Sequence, residues 1–226
     1  MVALVRAGQR DAGRDVVTLV SVIIPTHDRP QLLMGRAIPS VYAQTVTDWE
    51  LLVVGDGTDR ETCAAMADLA SRDARVRFWD LPRQQYPSDP VARWRVLGLE
   101  ALNHGLDSAS GEWVAVLGDD DEFAPDHHEA LLAVAAETGA DHAYGMSDTL
   151  KGGVATGQVY GAWPPGPGQL CDGAALWRRS LGYRYDPGCQ ARGLPEDADL
   201  WARMAADGVR SCFVPRIVHH YHRNWP

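Results

Sequence analysis

Four consecutive acidic residues, Asp119-Asp120-Asp121-Glu122, directly follow a buried-type apolar run that ends at Gly118. Adjacent carboxylates repel one another, so such a cluster is unfavourable unless a cation neutralises it. Hard divalent ions bind carboxylate oxygens and keep coordination positions for phosphate oxygens. The cluster therefore indicates a divalent-cation site for a phosphate-bearing ligand. The alternative interpretation is a solvated acidic turn before the next helix.

A second acidic group, Glu196-Asp197, begins a helix that we predict over residues 195–206. On an ideal helix Asp197 shares one face with three apolar residues, which are Leu200, Trp201 and Met204. These apolar residues should pack inward, so Asp197 is expected at the cleft end of the buried stripe. Glu196 is expected to point about 100° away on the same helix. The alternative is a pair of acids that the helix dipole favours.

Two groups of histidines are also candidates for chemistry. His219, His220 and His222 lie in the C-terminal segment, and in a strand His220 and His222 would face the same side. The alternative is a polar edge strand with solvated imidazoles. His127 and His128 follow the acidic cluster on a predicted helix, and we expect both to be exposed.

The positions of these groups follow from an alternation of strands and helices. Residues 18–25, 49–54, 75–79, 113–117 and 142–145 read as strands, and the helices between them begin near 28, 59, 90 and 125. This order predicts an α/β fold, a mainly parallel mixed sheet flanked by helices with right-handed crossovers. Ligands of such sheets bind beyond the carboxyl ends of the strands, which gathers Thr26-His27-Asp28, Asp56 and the acidic cluster along one rim.

The C-terminal half is less regular. Ten of the 23 residues from Lys151 to Gly173 are Gly or Pro, which predicts a loop or a hairpin with a loose tip. Two further strands are expected over 211–215 and 217–221. We interpret residues 1–17 as a flexible arm and 18–226 as a single domain with two halves, 18–145 and 146–226.

Composition narrows the functional classes. The chain has 226 residues, 21 basic and 30 acidic, and its net charge of -9 disfavours a nucleic-acid partner. The longest nearly apolar run, residues 16–24, is too short for a membrane span, and residues 1–15 lack a secretory signal. The four cysteines show no CxxC spacing, so we expect reduced thiols and a cytoplasmic protein.

Five segments of the chain resemble the family 2 glycosyltransferases, which have the GT-A fold. The resemblance extends over residues 20–210 and follows the family's order. The segments are Ser21-Val22-Ile23-Ile24-Pro25-Thr26-His27-Asp28-Arg29, Trp49-Glu50-Leu51-Leu52-Val53-Val54-Gly55-Asp56-Gly57, Ala101-Leu102-Asn103-His104-Gly105-Leu106, Gly111-Glu112-Trp113-Val114-Ala115-Val116-Leu117-Gly118-Asp119-Asp120-Asp121 and Pro195-Glu196-Asp197-Ala198-Asp199-Leu200-Trp201.

The resemblance implies that residues 18–145 form a nucleotide-binding half and residues 146–226 an acceptor-binding half. It also implies a role for each matching residue. The nucleotide of a nucleotide-diphospho-sugar would contact Pro25, Thr26, His27, Asp28, Arg29, Asp56, Asn103, Asp119 and Asp120. The family's DxD motif implies Mn²⁺ or Mg²⁺ at Asp119, Asp120 and Asp121, with His220 and His222 as further candidate ligands. The family usually has Asp where this chain has Gly118, so which carboxylate binds the ion stays open. Asp197, or else Glu196, would be the general base.

The function implied is an inverting, metal-dependent glycosyltransferase. It would move a sugar from a nucleotide diphosphate, most simply a UDP-sugar, to a hydroxyl of a small-molecule or saccharide acceptor by single displacement. A sugar-1-phosphate nucleotidyltransferase-like enzyme and a non-catalytic nucleotide-sugar binder are the alternatives, and a homodimer is left open. Trp163 is a candidate for stacking on an acceptor sugar, and Arg93, Arg95 and Arg178 are candidate phosphate partners.

Overall fold

The computed structural model describes residues 20–162 and 169–223 of the chain. The predicted arm (1–17) and Trp163 lie outside the described residues. Within them, nine strands form one sheet, in the order β3-β2-β1-β4-β8-β6-β9-β5 with β7 paired to β6. In chain order the strands are β1 (Val20–Thr26), β2 (Trp49–Asp56), β3 (Val76–Leu81), β4 (Trp113–Val116), β5 (Glu122–Phe123), β6 (His142–Lys151), β7 (Val154–Tyr160), β8 (Ala175–Arg178) and β9 (Ser211–His222).

The first half of the sheet is parallel, and this part of the predicted fold is confirmed. Strands β3, β2, β1 and β4 are neighbours, and every pairing among them is parallel. Their buried apolar runs suit strands that are covered by helices on both faces. Because the strands run the same way, β1, β2 and β4 all end at one edge of the sheet. The second half is mixed: β8 pairs antiparallel with β4 and β6, while β9 is parallel to β6.

Eight α-helical segments connect these strands in the described residues. They are α1 (Pro30–Leu32), α2 (Ile38–Tyr42), α3 (Arg60–Arg72), α4 (Pro90–Trp94), α5 (Leu99–Ser108), α6 (His127–Thr138), α7 (Cys189–Arg192) and α8 (Glu196–Ala206). The prediction of one helix from 90 to 106 was wrong, because Gly98 adopts φ +79° and separates α4 from α5. The Gly98 N–H donates to the Tyr86 hydroxyl at 3.1 Å, which holds this break in place.

The first helical stretch is interrupted as its proline predicts. A π-helical turn, Leu33–Ala37, stands between α1 and α2, immediately before Pro39. Proline lacks the N–H that an α-helix needs and its ring clashes with the carbonyl four residues earlier, so the backbone widens there. The N-cap position of α1 is Arg29, and the side chain of the preceding Asp28 does not cap the helix. Its carboxylate contacts the His27 ring at 2.7 Å instead.

The C-terminal strands differ from the prediction in length. Residues 211–222 form one strand through Pro215, not two strands, and the pairing with β6 shifts register beside Gly145. A Cβ at Gly145 would come within 2.7 Å of Val218, so only glycine permits this close approach. The predicted hairpin lies only partly within 151–173: its first strand is β6, which begins at His142, and its second strand is β7, whose residues are exposed except for Tyr160.

The expectation that His127 and His128 are exposed was wrong. Both side chains have no exposed surface, their Nδ1 atoms are 2.8 Å apart, and the His127 ring stacks on Phe123. Helix α6 packs against β6 and β9, so its first turn lies under the sheet and not in solvent. Burial lowers the pKa of His128 to about 3. None of the helices in the described part of the chain has the length and apolar character of a membrane span.

Candidate active site

Two adjoining cavities lie where β1, β2 and β4 end, at the edge of the sheet that the sequence predicts. The first cavity has a volume of about 420 Å³ and the second about 330 Å³. The first holds the ends of β1 and β2 and part of the acidic cluster. The second lies towards α8 and β9. Six residues line both cavities: Pro25, Trp94, Leu97, Gly118, Glu196 and Tyr221.

Asp56 ends β2 at the first cavity and fixes the loop that closes it. Its Oδ1 accepts the Gln84 N–H at 2.7 Å, and its Oδ2 accepts the Tyr86 hydroxyl at 2.7 Å. Arg83 contacts the same Oδ2 at 3.3 Å. Burial and the neighbouring Asp56 raise the pKa of Tyr86 to about 12. Asp56 therefore lines the predicted nucleotide cavity as expected, with a carboxylate that the chain itself already engages.

The acidic loop, defined here as Asp119, Asp120 and Asp121, is tied to the end of β1. The Thr26 hydroxyl donates to Asp119 Oδ2 at 2.9 Å, and Arg29 Nη1 lies 3.4 Å from Asp119 Oδ1. The same Arg29 atom lies 2.7 Å from Asp120 Oδ2. Burial raises the pKa of Asp119 to about 6, while the Arg29 charge opposes that rise. The structure thus brings together Thr26, Arg29, Asp119 and Asp120 at the first cavity.

Asp121 and the C-terminal histidines lie on the other side of the loop. Asp121 lines the second cavity, where its Oδ1 accepts the backbone N–H of His222 at 2.7 Å. The alternation of β9 turns His219 and Tyr221 towards this cavity.

The same alternation corrects the prediction for His220 and His222, which line neither cavity. His220 Nδ1 contacts Asp148 at 2.7 Å, and His222 Nε2 contacts Glu122 at 3.2 Å. His219 is instead the histidine of β9 that lines the second cavity, and its Nε2 lies 3.5 Å from Asp121 Oδ2.

Helix α8 delivers Glu196 and Asp197 to the cavities. Its inward face is apolar as predicted, with Leu200, Trp201 and Met204 buried. Asp199, only 1% exposed, accepts from Arg203 at 2.8 Å and also from Arg192, which ties α8 to α7.

The two acids do not diverge as the ideal helix suggested. Glu196 lines both cavities and Asp197 lines the second. Burial raises the pKa of Asp197 to about 6, although its Oδ1 accepts the Ala198 N–H at 2.6 Å.

A third carboxylate joins these two. Asp172 lines the second cavity with Glu196 and Asp197, and we call the three the acidic wall. Asp172 Oδ2 accepts the hydroxyl of the buried Tyr185 at 2.9 Å. Burial, followed by the nearby Asp197 charge, raises the pKa of Asp172 and of Glu196 well above their usual values.

Asn103 has a supporting position. Its side-chain amide donates to the Tyr185 carbonyl and its side-chain oxygen accepts the Tyr185 N–H, both at 2.9 Å. Asn103 lines neither cavity, so the structure does not bring this predicted nucleotide ligand to the site. It instead connects α5 to Tyr185, whose hydroxyl group donates to Asp172.

The donor set suits a divalent cation that a diphosphate also coordinates. No three His, Cys, Asp or Glu side chains in residues 20–162 and 169–223 are arranged to hold an ion by themselves. Mg²⁺ usually takes one or two carboxylates plus substrate phosphates, and such a site needs no third protein ligand. The acidic loop provides these carboxylates. A Cβ at Gly118 would lie 3.0 Å from Asp121 Oδ2, so the aspartate common in the family would crowd this loop.

Several lining residues gave no signal in the sequence. Arg83 and Tyr86 come from the loop between β3 and α4, and Trp94 is the last residue of α4. Asp172 lies at the end of the Gly/Pro-rich segment. Arg178, a candidate phosphate partner, instead pairs with Glu112 and Asp141 and lies over Trp113, at the opposite end of β4. Arg93 and Arg95 line neither cavity, whereas Arg29 and Arg83 line the first.

The model of the family described as glycosyl transferase family 2 matches residues 21–174, more than half of the chain. The chain belongs to glycosyl transferase family 2. A curated relative, the GalNAc(5)-diNAcBac-PP-undecaprenol beta-1,3-glucosyltransferase of Campylobacter jejuni, is 34% identical over 56% of this chain and 37% of its own length. Another, the succinoglycan biosynthesis protein ExoO of Rhizobium meliloti, is 31% identical over 61% of this chain and 35% of its own length.

Solved structures with the same GT-A fold confirm the fold class. S. aureus TarS residues 1–349 in complex with UDP superimposes with a TM-score of 0.69 and 14% identity, covering 91% of this chain and 60% of TarS 1–349. The mannosyltransferase PcManGT from Pyrobaculum calidifontis, in complex with GDP-Man and Mn²⁺, has a TM-score of 0.63 and 16% identity, covering 89% and 56%. The chain covers less than two thirds of the length of each of these four proteins.

Proposed function

We propose that this chain is an inverting, divalent-metal-dependent glycosyltransferase that transfers a sugar from a UDP-sugar to a hydroxyl of a small-molecule or saccharide acceptor. One observation carries the proposal: the acidic loop and the acidic wall face two cavities that share six lining residues. A donor diphosphate in the first cavity and an acceptor in the second would meet at the shared lining.

The first cavity supplies what a nucleotide diphosphate needs. Arg29 and Arg83 bring positive charge to phosphate oxygens, and Asp56 with Tyr86 offers polar groups for the base and ribose. We propose that residues 25–29 contact the nucleotide from the end of β1. The UDP complex of the structurally similar TarS supports uracil as the base.

Asp120 is the residue that we propose as the metal ligand. Asp119 accepts from Thr26, and Asp121 accepts from the backbone of His222, so both carboxylates hold the loop in shape. Asp120 lines the first cavity beside Arg29. When bound, Mn²⁺ or Mg²⁺ offsets the negative charge that develops on the diphosphate leaving group. The Mn²⁺ in the PcManGT complex supports this requirement.

Asp197 is proposed as the general base. Its pKa of about 6 leaves it ionised near neutral pH and able to accept the proton of an acceptor hydroxyl. As that oxygen bonds to the anomeric carbon, the bond from this carbon to the diphosphate oxygen breaks. A base in the second cavity and a leaving group in the first lie on opposite sides of the carbon, so one displacement inverts its configuration.

A donor screen tests the function. The protein is incubated with Mn²⁺ and single nucleotide sugars, and release of the nucleoside diphosphate is measured with and without a chelator. We expect metal-dependent release from a UDP-sugar. Release of pyrophosphate from a nucleoside triphosphate and a sugar 1-phosphate would instead identify a nucleotidyltransferase. Donor binding with no release, with every acceptor class, would identify a binding protein.

A further inference from the structure

The acidic wall brings three carboxylates to one side of the second cavity. Asp172 comes from the segment before β8, and Glu196 and Asp197 come from the first turn of α8. Among the described residues, no arginine, lysine or histidine forms an ion pair with any of the three. The N-terminus of α8 can stabilise one negative charge there, but three charges so close together would repel strongly.

Asp172 is held rigidly in this wall. Its Oδ2 accepts from Tyr185, whose side chain is only 2% exposed. The backbone of Tyr185 is fixed in turn by the two hydrogen bonds to Asn103. Asp172 therefore cannot turn away from its neighbours without breaking its hydrogen bond with Tyr185.

The hydrogen-bond partners of the wall are unequal. Asp197 Oδ1 accepts a backbone N–H at 2.6 Å, whereas Asp172 Oδ1 and Glu196 Oε2 are buried without a partner in the described structure. Burial without a donor disfavours an ionised carboxylate, because its charge is neither solvated nor hydrogen-bonded. The titratable groups that flank Asp172 are Cys171, Tyr185, Glu196 and Asp197. The same cavity is also lined by Asp121, Tyr160, Tyr221 and His219, and the Nε2 of His219 lies 3.5 Å from Asp121 Oδ2. The raised pKa of Asp172 agrees with this geometry.

We propose that Asp172 is a positioning residue that stays a protonated carboxylic acid beside the charged carboxylate of Asp197. This inference rests on the proposed role of Asp197 as general base. Neutral Asp172 gives the base a fixed, uncharged neighbour and keeps the wall from repelling the diphosphate. Tyr185 fixes its orientation, and the role differs from that of a base, which must be ionised.

The test uses Asp172→Asn, which has the shape of the protonated acid and keeps an acceptor for Tyr185. We expect the acid limb of the pH–rate profile to keep the midpoint of the wild type. A loss as large as that of Asp197→Asn would overturn the proposal, because Asp172 would then act as an ionised base. A midpoint lowered by about one pH unit or more would also overturn it, because an ionised Asp172 would then be raising the pKa of Asp197.

A second measurement does not depend on activity. A carboxyl whose pKa is raised by folding contributes stability below its unfolded pKa of about 3.9 and loses it as the pH rises through the folded pKa. Asp172→Asn removes this loss, so its Tm should exceed that of the wild type by about 4 °C or more near pH 8. The difference should close as the pH falls to about 4.

The matched control is Asp207→Asn. Asp207 also accepts a tyrosine hydroxyl, that of Tyr183 at 2.6 Å, but this pair is exposed. We expect no pH-dependent gain for it. Infrared spectra near pH 8 should also show a protonated-carboxyl C=O band that Asp172→Asn removes and Asp207→Asn retains. A band unchanged in Asp172→Asn, or a Tm gain that is absent, would overturn the proposal. If no donor is ever turned over, the proposed function fails while these two measurements still decide the protonation of Asp172.

Discussion

The acidic loop and the acidic wall each bring three carboxylates to the same pair of cavities, but their charges are balanced in different ways. In the loop, Arg29 lies against Asp119 and Asp120, and donors from Thr26 and the backbone of His222 reach the outer carboxylates. In the wall, two buried oxygens have no donor in the described residues. The first arrangement suits exchange of one cation for another, and the second suits the holding and transfer of protons.

The difference shows that an acidic cluster in a sequence does not define its chemistry by itself. Asp119-Asp120-Asp121 and Glu196-Asp197 look alike as strings of carboxylates. They differ in their surroundings. The fold places an arginine and hydrogen-bond donors beside the first string, whereas it buries Glu196 Oε2 of the second string with no hydrogen-bond partner in the described residues. Four experiments test whether the loop and the wall differ in this way.

Asp197→Asn tests the wall most directly. We expect activity to fall by about 10²–10⁴-fold, because the amide cannot accept the acceptor's proton. UDP binding, measured by calorimetry, should be unchanged, since Asp197 lines only the second cavity. Asp207→Asn, at the other end of α8, is the control and should keep full activity. Full activity in Asp197→Asn would remove it as the base.

Asp120→Asn tests the loop. We expect the affinity for Mn²⁺ in the presence of UDP to fall by at least about tenfold, since even an outer contact to a metal ligand is typically worth that much. In the wild type, UDP with Mn²⁺ should raise the Tm far more than the two separate shifts combined. Asp121→Asn is the comparison variant. A larger loss of Mn²⁺ affinity in Asp121→Asn than in Asp120→Asn would indicate that Asp121 is the metal ligand.

The pH dependence tests the ionisation of Asp197. Because Asp197 must be ionised and its pKa is about 6, kcat/KM should fall about tenfold per pH unit below that value. The folded-state pKa of Asp197 is raised, so ionising it costs stability as the pH rises. Activity and stability should therefore change in opposite directions between about pH 4 and 6. A flat profile between about pH 5 and 7 would contradict the assignment.

Arg29→Ala should have the smallest effect. Without metal we expect the Tm to fall on the order of 2 °C, because Asp119 and Asp120 lose a partly exposed cation. Added Mn²⁺ should then stabilise the variant more than the wild type, since the ion can replace the guanidinium charge. Arg72→Ala, which breaks an exposed pair with Asp68, is the control. Equal Mn²⁺ shifts in all three proteins would show that Arg29 does not share the metal's position.

The parts of the site that the sequence predicts come from buried strands with polar ends. Strands β1, β2 and β4 can be predicted because helices cover both faces of the sheet, which makes each strand a nearly continuous apolar run. The topology then places Asp56 and the acidic loop at one edge of the sheet. The inward face of α8 follows from its apolar period. These elements depend on short-range pattern and on one general rule of sheet geometry, so they need no knowledge of distant contacts.

The remaining features depend on contacts that no local pattern contains. Gly98 breaks a helix because Tyr86 hydrogen-bonds to it from another loop. His127 and His128 are buried because α6 packs against β9. Two adjacent polar residues on a helix had suggested that they would be exposed. Asp172 is polar, lies at the end of a Gly/Pro-rich segment and matches no motif. Its importance appears only when the fold places it beside Asp197.

The interleaving of the strands constrains how such an enzyme can diversify. Strand β8 lies between β4 and β6, and β5 from the first half pairs with β9 from the second. A chimaera that joins one half of this chain to the other half of a relative at residue 145 would therefore have to rebuild strand pairings between the halves. It would also have to replace the Asn103–Tyr185 hydrogen bonds. If the second cavity binds the acceptor as proposed, single replacements of its lining residues are the simpler route to a new acceptor preference, because they leave the sheet intact.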